Sequence, residues 1–202
     1  MSTKEYENNK KEHKTIKFGL ISQNSSYINV NNLFNSYFEK CKLNSYKIKD
    51  QNRYEFSLLS IPHLTISIKH LEENQNKNNY NIYNFFLIFI DINNLSQKSF
   101  LEKIIDIIID EDDNNYNKKC YIYGFYENNE SDKIKEEKIT SILDSRGIEY
   151  FYKEIKFDDI ESFSKLVENT INDCNAIMIE KYLAQKQSEL IKDKSNSGCN
   201  II

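Results

Sequence analysis

Tyr83–Asp110 reads YNFFLIFIDINNLSQKSFLEKIIDIIID, and its reading decides the fold. The apolar run from Phe85 to Ile90, with Ile82 just before it, is too short to cross a membrane, and Asp91 with the turn-forming Asn93–Asn94 stops it. A continuous apolar run of this length predicts a strand buried on both faces, the signature of a central parallel strand. After the turn, Phe100, Ile104, Ile107 and Ile108 recur at helical spacing, with Glu102, Lys103 and Asp106 between them. Strand, short turn and amphipathic helix make half of a βαβ unit, which sets an α/β class.

Working outward, Thr15–Ile21 predicts a first strand, Ser22–Asn32 a polar loop, and Leu33–Cys41 a helix through Leu33, Phe34, Tyr37 and Phe38. Lys42–Arg53 reads as a polar connection. Tyr54–Ile61 and Leu64–Leu71 alternate as strands across the only proline, Pro62, and their short link implies an antiparallel hairpin. Glu72–Asn79 is a charged, Asn-rich loop. Beyond the central strand and helix, Lys119–Phe125 predicts a strand and Ser131–Arg146 a helix with Ile134, Ile139, Ile142 and Leu143 inward, stopped by Gly147. Ile148–Ile155 predicts the last strand. Asp158, with Glu161 three residues later, looks like a capping box opening a helix through Ile160, Phe163, Val167 and Ile171 to about Leu190. Such alternation predicts a mostly parallel sheet covered on both faces, with its functional crevice beyond the carboxyl ends of the strands.

The 202 residues allow one domain and a tail, and the net charge of −4 gives no basic excess that would point to nucleic acid. The four cysteines, at 41, 120, 174 and 199, form no CxxC pair, so neither a zinc framework nor a disulfide scaffold is indicated, and the usage fits a reducing compartment. The amino terminus MSTKEYENNKKEHK lacks an apolar core, so no secretory signal is expected there, and residues 1–14 read as a disordered arm. The abundant Asn clusters read as compositional drift on solvent-facing loops.

The element order, the lengths and the tail together resemble small GTPases of the Ras superfamily, Rab-like ones most closely. FFLIFIDINNLSQKSF is similar to that family's fourth strand and following helix. KKCYIYGFYENNESD resembles the strand and loop that carry the guanine-specificity motif, and IEYFYKEIKFDDIESFSKLVENTI the last strand and helix. The resemblance implies a three-layer, P-loop-NTPase-like G domain over residues 15–175, with a mostly parallel six-stranded sheet and one antiparallel edge strand. Residues 176–202 would then be a helical extension and hypervariable tail.

The signature residues depart from the family. A phosphate loop needs glycines, a Lys and a Ser/Thr for Mg²⁺. Its place is taken by Ser22, Gln23, Asn24, Ser25, Ser26, Tyr27, Ile28 and Asn29, with Ile28 at the lysine position and Asn29 at the metal-ligand position. No Thr lies between Thr15 and Thr65 to sense a γ-phosphate, and the Asp-x-x-Gly element maps near Lys69-His70-Leu71-Glu72-Glu73. The guanine-reading motif maps onto Phe125-Tyr126-Glu127-Asn128, where Phe125 lacks the amide and Asn128 the carboxylate. Of the Ser-Ala-Lys loop only Lys156 survives. The expectation is a kept fold with binding and hydrolysis of GTP, GDP and Mg²⁺ weakened or lost.

Cys199-Asn200-Ile201-Ile202 matches a C-a-a-X prenylation signal, and its last residue favours geranylgeranyl over farnesyl on Cys199, with carboxyl methylation after processing. A single prenyl group holds a membrane only marginally, and Lys186, Lys192 and Lys194 are offset by Glu189 and Asp193, so a second contact is expected. These expectations describe a module on the cytoplasmic face of a membrane with a cytosolic pool, a prenyl-binding chaperone and an effector or regulator as partners. It would serve vesicle traffic or signalling. Two other readings stand beside it: a divergent switch that still binds GTP, and a receiver-like domain phosphorylated on Asp91. For Asp91 the plainer role is to cap the turn; His70 and the tyrosines likewise read first as structural.

Overall fold

Phe85–Asp91, the strand β5 of a computed structural model of the chain, is buried along its whole length. The structure describes residues 14–22, 29–40, 47–50, 53–58, 64–71, 80, 82–109, 118–127 and 133–196. Within them run β1 (Lys14–Ser22), α1 (Val30–Lys40), β2 (Lys47–Asp50), β3 (Arg53–Phe56), β4 (Leu64–His70), β5, α2 (Gln97–Ile108), β6 (Lys119–Tyr126), α3 (Glu136–Ser145), β7 (Glu149–Lys156) and α4 (Ile160–Asn196). The arm expected over residues 1–14 lies, apart from Lys14, outside the described residues, as do Glu72–Asn79 and the tail with Cys199.

The strands form one sheet in the order β2-β3-β4-β1-β5-β6-β7. β1 pairs in parallel with both β4 and β5, and β5-β6-β7 continue in parallel. β3 runs antiparallel to β4, with Tyr54 opposite Ile68 and Phe56 opposite Ile66, as the Pro62 hairpin implied. The expected α/β class and mostly parallel sheet are thus observed, and all six expected strands are present. One strand was not foreseen. β2 lies within the stretch read as a polar connection and pairs antiparallel with β3, so the sheet has seven strands and β3 is not its edge. KIKD carries no run of apolar residues, and it pairs with the side of β3 that β4 leaves open.

Alternation along β5 splits the core in two. Phe86, Ile88 and Ile90 point to the face covered by α2 and α3, where they meet Phe100, Leu101, Ile104, Ile105, Ile108, Ile139, Ile142 and Leu143. Phe89 points to the other face, where its ring lies 6.3 Å from Phe34 of α1 and 5.9 Å from Phe163 at the start of α4. Phe34 also stacks on Tyr54 at 5.0 Å, and Phe38 meets Phe56 at 5.2 Å, so this side is an aromatic core. Helices on both faces of the sheet make three layers.

Helix ends follow local chemistry with two shifts from expectation. Gly147 sits at φ +63°, a left-handed position that stops the chain after α3 and that a Cβ would strain. Ile134 is buried as expected but precedes α3, which starts at Glu136. The cap of α4 is Asp159, not Asp158: its carboxylate accepts from the Ser162 N–H at 2.9 Å and the Ser162 hydroxyl at 2.6 Å. Adjacent aspartates give the same sequence signal, and only the backbone register chooses between them. The chain divides into two compact units, Met1–Ser164 and Lys165–Ile202, the division falling within α4. In the second unit Val167, Ile171 and Cys174 are buried, whereas Ile179, Tyr182 and Leu183 are exposed.

Candidate functional site

From β1 the chain moves through α1 to the β4 side of the sheet, and from β5 it moves through α2 to the β6 side. The direction of winding therefore reverses between β1 and β5, and in open α/β sheets ligands bind beyond the carboxyl ends of the strands at such a reversal. Ser22 ends β1 and Asp91 ends β5, with His70 at the end of β4, Tyr126 at the end of β6 and Lys156 at the end of β7.

Ser22 and His70 meet directly, with Oγ and Nε2 3.0 Å apart. The ladder beneath them is closed by the Leu71 N–H donating to the Leu20 carbonyl at 2.7 Å. At the amino end of α1, the Asn29 side-chain oxygen accepts from the Asn32 N–H at 3.1 Å, and its carbonyl accepts from the Leu33 N–H at 3.1 Å. Asn29 is thus the N-cap of the helix, using a backbone donor that would otherwise be free for an anion. Ser22–Asn32 was expected to be loop throughout; the helix starts at Val30 because this cap satisfies its first turn.

Asp91 is 5% exposed, and its Oδ1 accepts from the Asn93 N–H at 2.9 Å, which closes the turn after β5. That turn is tied to the neighbouring one. Asn93 Oδ1 accepts from the Glu127 N–H at 3.0 Å, the Ile92 N–H donates to the Phe125 carbonyl at 3.0 Å, and the Ile134 N–H donates to the Ile92 carbonyl at 2.7 Å. Beside it the Lys133 ammonium stands 3.3 Å from the centre of the Tyr126 ring, a cation–π contact, and 4.0 Å from Glu154. The Tyr152 hydroxyl donates to Glu154 at 3.2 Å, and burial, then the Glu154 charge, push its pKa far above the ordinary value. Gly124 is what lets β6 and β7 meet here, since a Cβ on it would lie 2.8 Å from the Tyr152 hydroxyl and 2.8 Å from Ile92.

The expected site residues are dispersed in role. Ser22, Tyr126 and Lys156 do stand at the carboxyl ends of parallel strands. Phe125 is fully buried, its ring 5.3 Å from Phe89 and 6.3 Å from Phe163, so its side chain belongs to the core and not to the crevice. Lys156 pairs with the exposed Asp158 at 3.3 Å. Gln23, Asn24, Ser25, Ser26, Tyr27, Ile28, Asn128 and Cys199 lie outside the described residues. The sequence points to neither Lys133 nor Tyr152, and to Glu154 only as the departure at the first position of the Ser-Ala-Lys loop. The one signal for their contact was Gly124, a lone glycine in an otherwise apolar strand.

Among the described residues no group of three His, Cys, Asp or Glu side chains could hold a metal ion, and no helix is long and apolar enough to cross a membrane. No protein-family model matches the chain, and no curated protein matches it in sequence.

Proposed function

We propose that this chain is an interaction module built on a Rab/Ras-like G-domain framework, in which ordinary GTP binding and hydrolysis are weakened or lost. One observation carries the reading. At the winding reversal, where the resemblance would seat the phosphates, the chain brings no lysine and no glycine, and the groups at hand are already used: Asn29 caps α1 and Ser22 is bonded to His70. The sequence from Ser22 to Asn29 offers neither lysine nor glycine, and no glycine at all lies between Gly19 and Gly124. That stretch therefore brings a polyanion neither a lysine nor the glycines a wrapping phosphate loop uses.

The partner contact in this proposal is made by Lys42–Arg53, which contributes β2, together with Leu71–Asn79. A geranylgeranyl group on Cys199 tethers the module to the cytoplasmic face of a membrane, and a prenyl-binding chaperone carries its cytosolic pool. The deciding experiment is to purify the protein, denature it and assay the released small molecules for guanine nucleotide. An empty supernatant, from folded protein whose melting temperature does not rise with GTP and Mg²⁺, is the expected result. Near-stoichiometric GDP or GTP would overturn the proposal and make the chain a divergent switch. Asp91-dependent labelling by acetyl phosphate would instead favour receiver chemistry. For the tether, a fluorescent Cys199→Ser variant should leave membranes; membrane residence equal to the parent protein would remove that part of the reading.

A further inference from the structure

Glu149–Lys156, the strand β7, ends the sheet, and among the described residues its outer side pairs with no other strand. An edge of eight residues with unpaired backbone donors and acceptors is a template for another strand, and natural edges are usually shortened, bulged or covered. β7 is instead regular over its full pairing with β6, from Lys119 opposite Glu149 to Tyr126 opposite Lys156. It also carries Phe151, an aromatic side chain that is 40% exposed.

We propose that β7 pairs antiparallel with β7 of a second copy of this chain, about a twofold axis at Phe151, joining the two sheets into one. The pattern of side chains under that symmetry favours this pairing. An antiparallel twofold pairing must set residues of the same face opposite each other, so the axis has to pass through a residue position. Centred on Phe151, the ladder places Glu149 opposite Lys153 of the second copy, Tyr150 opposite its Tyr152, and Phe151 opposite Phe151.

Each of these pairs is favourable. The Glu149–Lys153 contact occurs twice and extends a row already begun within one chain, where the Lys119 ammonium lies 2.9 Å from Glu149. Phe151 already lies beside Tyr121, ring centres 6.3 Å apart, so the dimer makes a continuous aromatic row across the axis. The tyrosine pairs form on the opposite face, where Tyr150 donates to Asp144 at 2.9 Å. Moving the axis one residue along, to Tyr152, sets Phe151 against Lys153 and Tyr150 against Glu154; moving it to Lys153 sets the two lysines against each other. Of these three registers, the charge and aromatic patterns favour the one centred on Phe151. Opposite charges and aromatic pairs set directly across strands are stabilising, and like charges there are destabilising.

The ladder adds about four to six backbone hydrogen bonds, which places the association among small, reversible interfaces. This surface is separate from the crevice, and the inference does not depend on whether nucleotide binds there. The test is sedimentation of the full chain from micromolar to near-millimolar concentration, with melting curves to confirm folding. The parent protein should be a monomer–dimer equilibrium. Lys153→Glu should weaken the dimer about tenfold or more, since it sets two like-charge pairs in the ladder. Adding Glu149→Lys to that variant should restore association by swapping both pairs. A parent that stays monomeric, a dimer indifferent to Lys153→Glu, or a folded double variant that fails to recover would each overturn the proposal.

Discussion

Phe89→Ala and Ile88→Ala, taken together, test whether β5 is buried on two faces, the inference on which the fold rests. Phe89 is fully buried on one face, its ring 5.6 Å from Tyr123, 5.3 Å from Phe125, 5.9 Å from Phe163 and 6.3 Å from Phe34. Ile88 is equally buried on the other, within the cluster beneath α2 and α3. Removing a buried Phe ring costs about 3–5 kcal/mol and a buried Ile about 2–5 kcal/mol, the higher values applying where neighbours cannot close the cavity. Phe89 is held between strand and helix aromatics that cannot collapse together without disturbing both layers, so about 4 kcal/mol is expected there and about 3 kcal/mol for Ile88. Against a total stability of about 5–15 kcal/mol either loss is large. Guanidinium denaturation followed by circular dichroism should show a lower midpoint at unchanged slope for both variants. In a strand with one wet face, one of the two substitutions would cost under about 1 kcal/mol. That outcome at either position would refute the reading of a central, doubly covered strand.

Three further outcomes follow from the helix ends and the α2–α3 contact. Asn29→Ala should lower stability by about 1 kcal/mol through loss of the α1 cap, while Asn29→Asp should hold it; equal denaturation midpoints for the parent and the Ala variant would remove the cap from the account. The Ser162 hydroxyl, then its N–H, hold the Asp159 carboxyl below its usual pKa. A depressed folded value means the stabilisation is fully present above the unfolded pKa of about 4 and is lost as pH falls below it toward the folded value, so the midpoint gap between the parent and Asp159→Asn should close on acidification. A gap that persists at pH 2 would point to a packing role instead. The Arg146 guanidinium bonds Asp106 with its Nε 2.6 Å from the carboxylate, lowering that carboxyl's pKa; because Asp106 is largely exposed, Asp106→Asn should cost under about 1 kcal/mol and less still at high salt. A salt-independent loss would contradict that screening.

How far the sequence could be read depends on whether its signal is periodic. β5, α2, β6 and the first part of α4 each carry an apolar pattern that only one element type satisfies, so they were legible with their faces. β2 was not, because KIKD carries no apolar run in its sequence and pairs with the side of β3 that β4 leaves open. The choice between Asp158 and Asp159 as cap depends on a one-residue register that composition does not encode. Contacts at the crevice were the least legible. The Ser22–His70 bond joins residues 48 apart and the Asn93–Glu127 bond residues 34 apart, and neither leaves a local pattern. Phe125 illustrates the converse: the motif resemblance put it in the site, yet alternation along β6 sends its side chain into the aromatic core with Phe89.

The weight of the proposed function rests on which missing element matters most at the crevice, and magnitudes order them. The Asn29 cap is worth about 1 kcal/mol, so it alone could not keep out a tightly held polyphosphate; an anion would displace it at small cost. Hydrogen bonds to charged groups are worth about 1.5–3 kcal/mol each, and a phosphate site assembles several of them around a cation. Between Ser22 and Asn29 the sequence supplies no cation, and Ile28 stands where the resemblance would call for the phosphate-loop lysine. Introducing the cap substitution alone, Asn29→Thr, should therefore not create measurable GTP binding by calorimetry. Ile28→Lys with Asn29→Thr addresses the larger deficit, and gain of Mg²⁺-dependent GTP binding in that pair would make the missing cation the controlling deficit at the crevice. Binding by Asn29→Thr alone would reverse the order and make the helix end the controlling element.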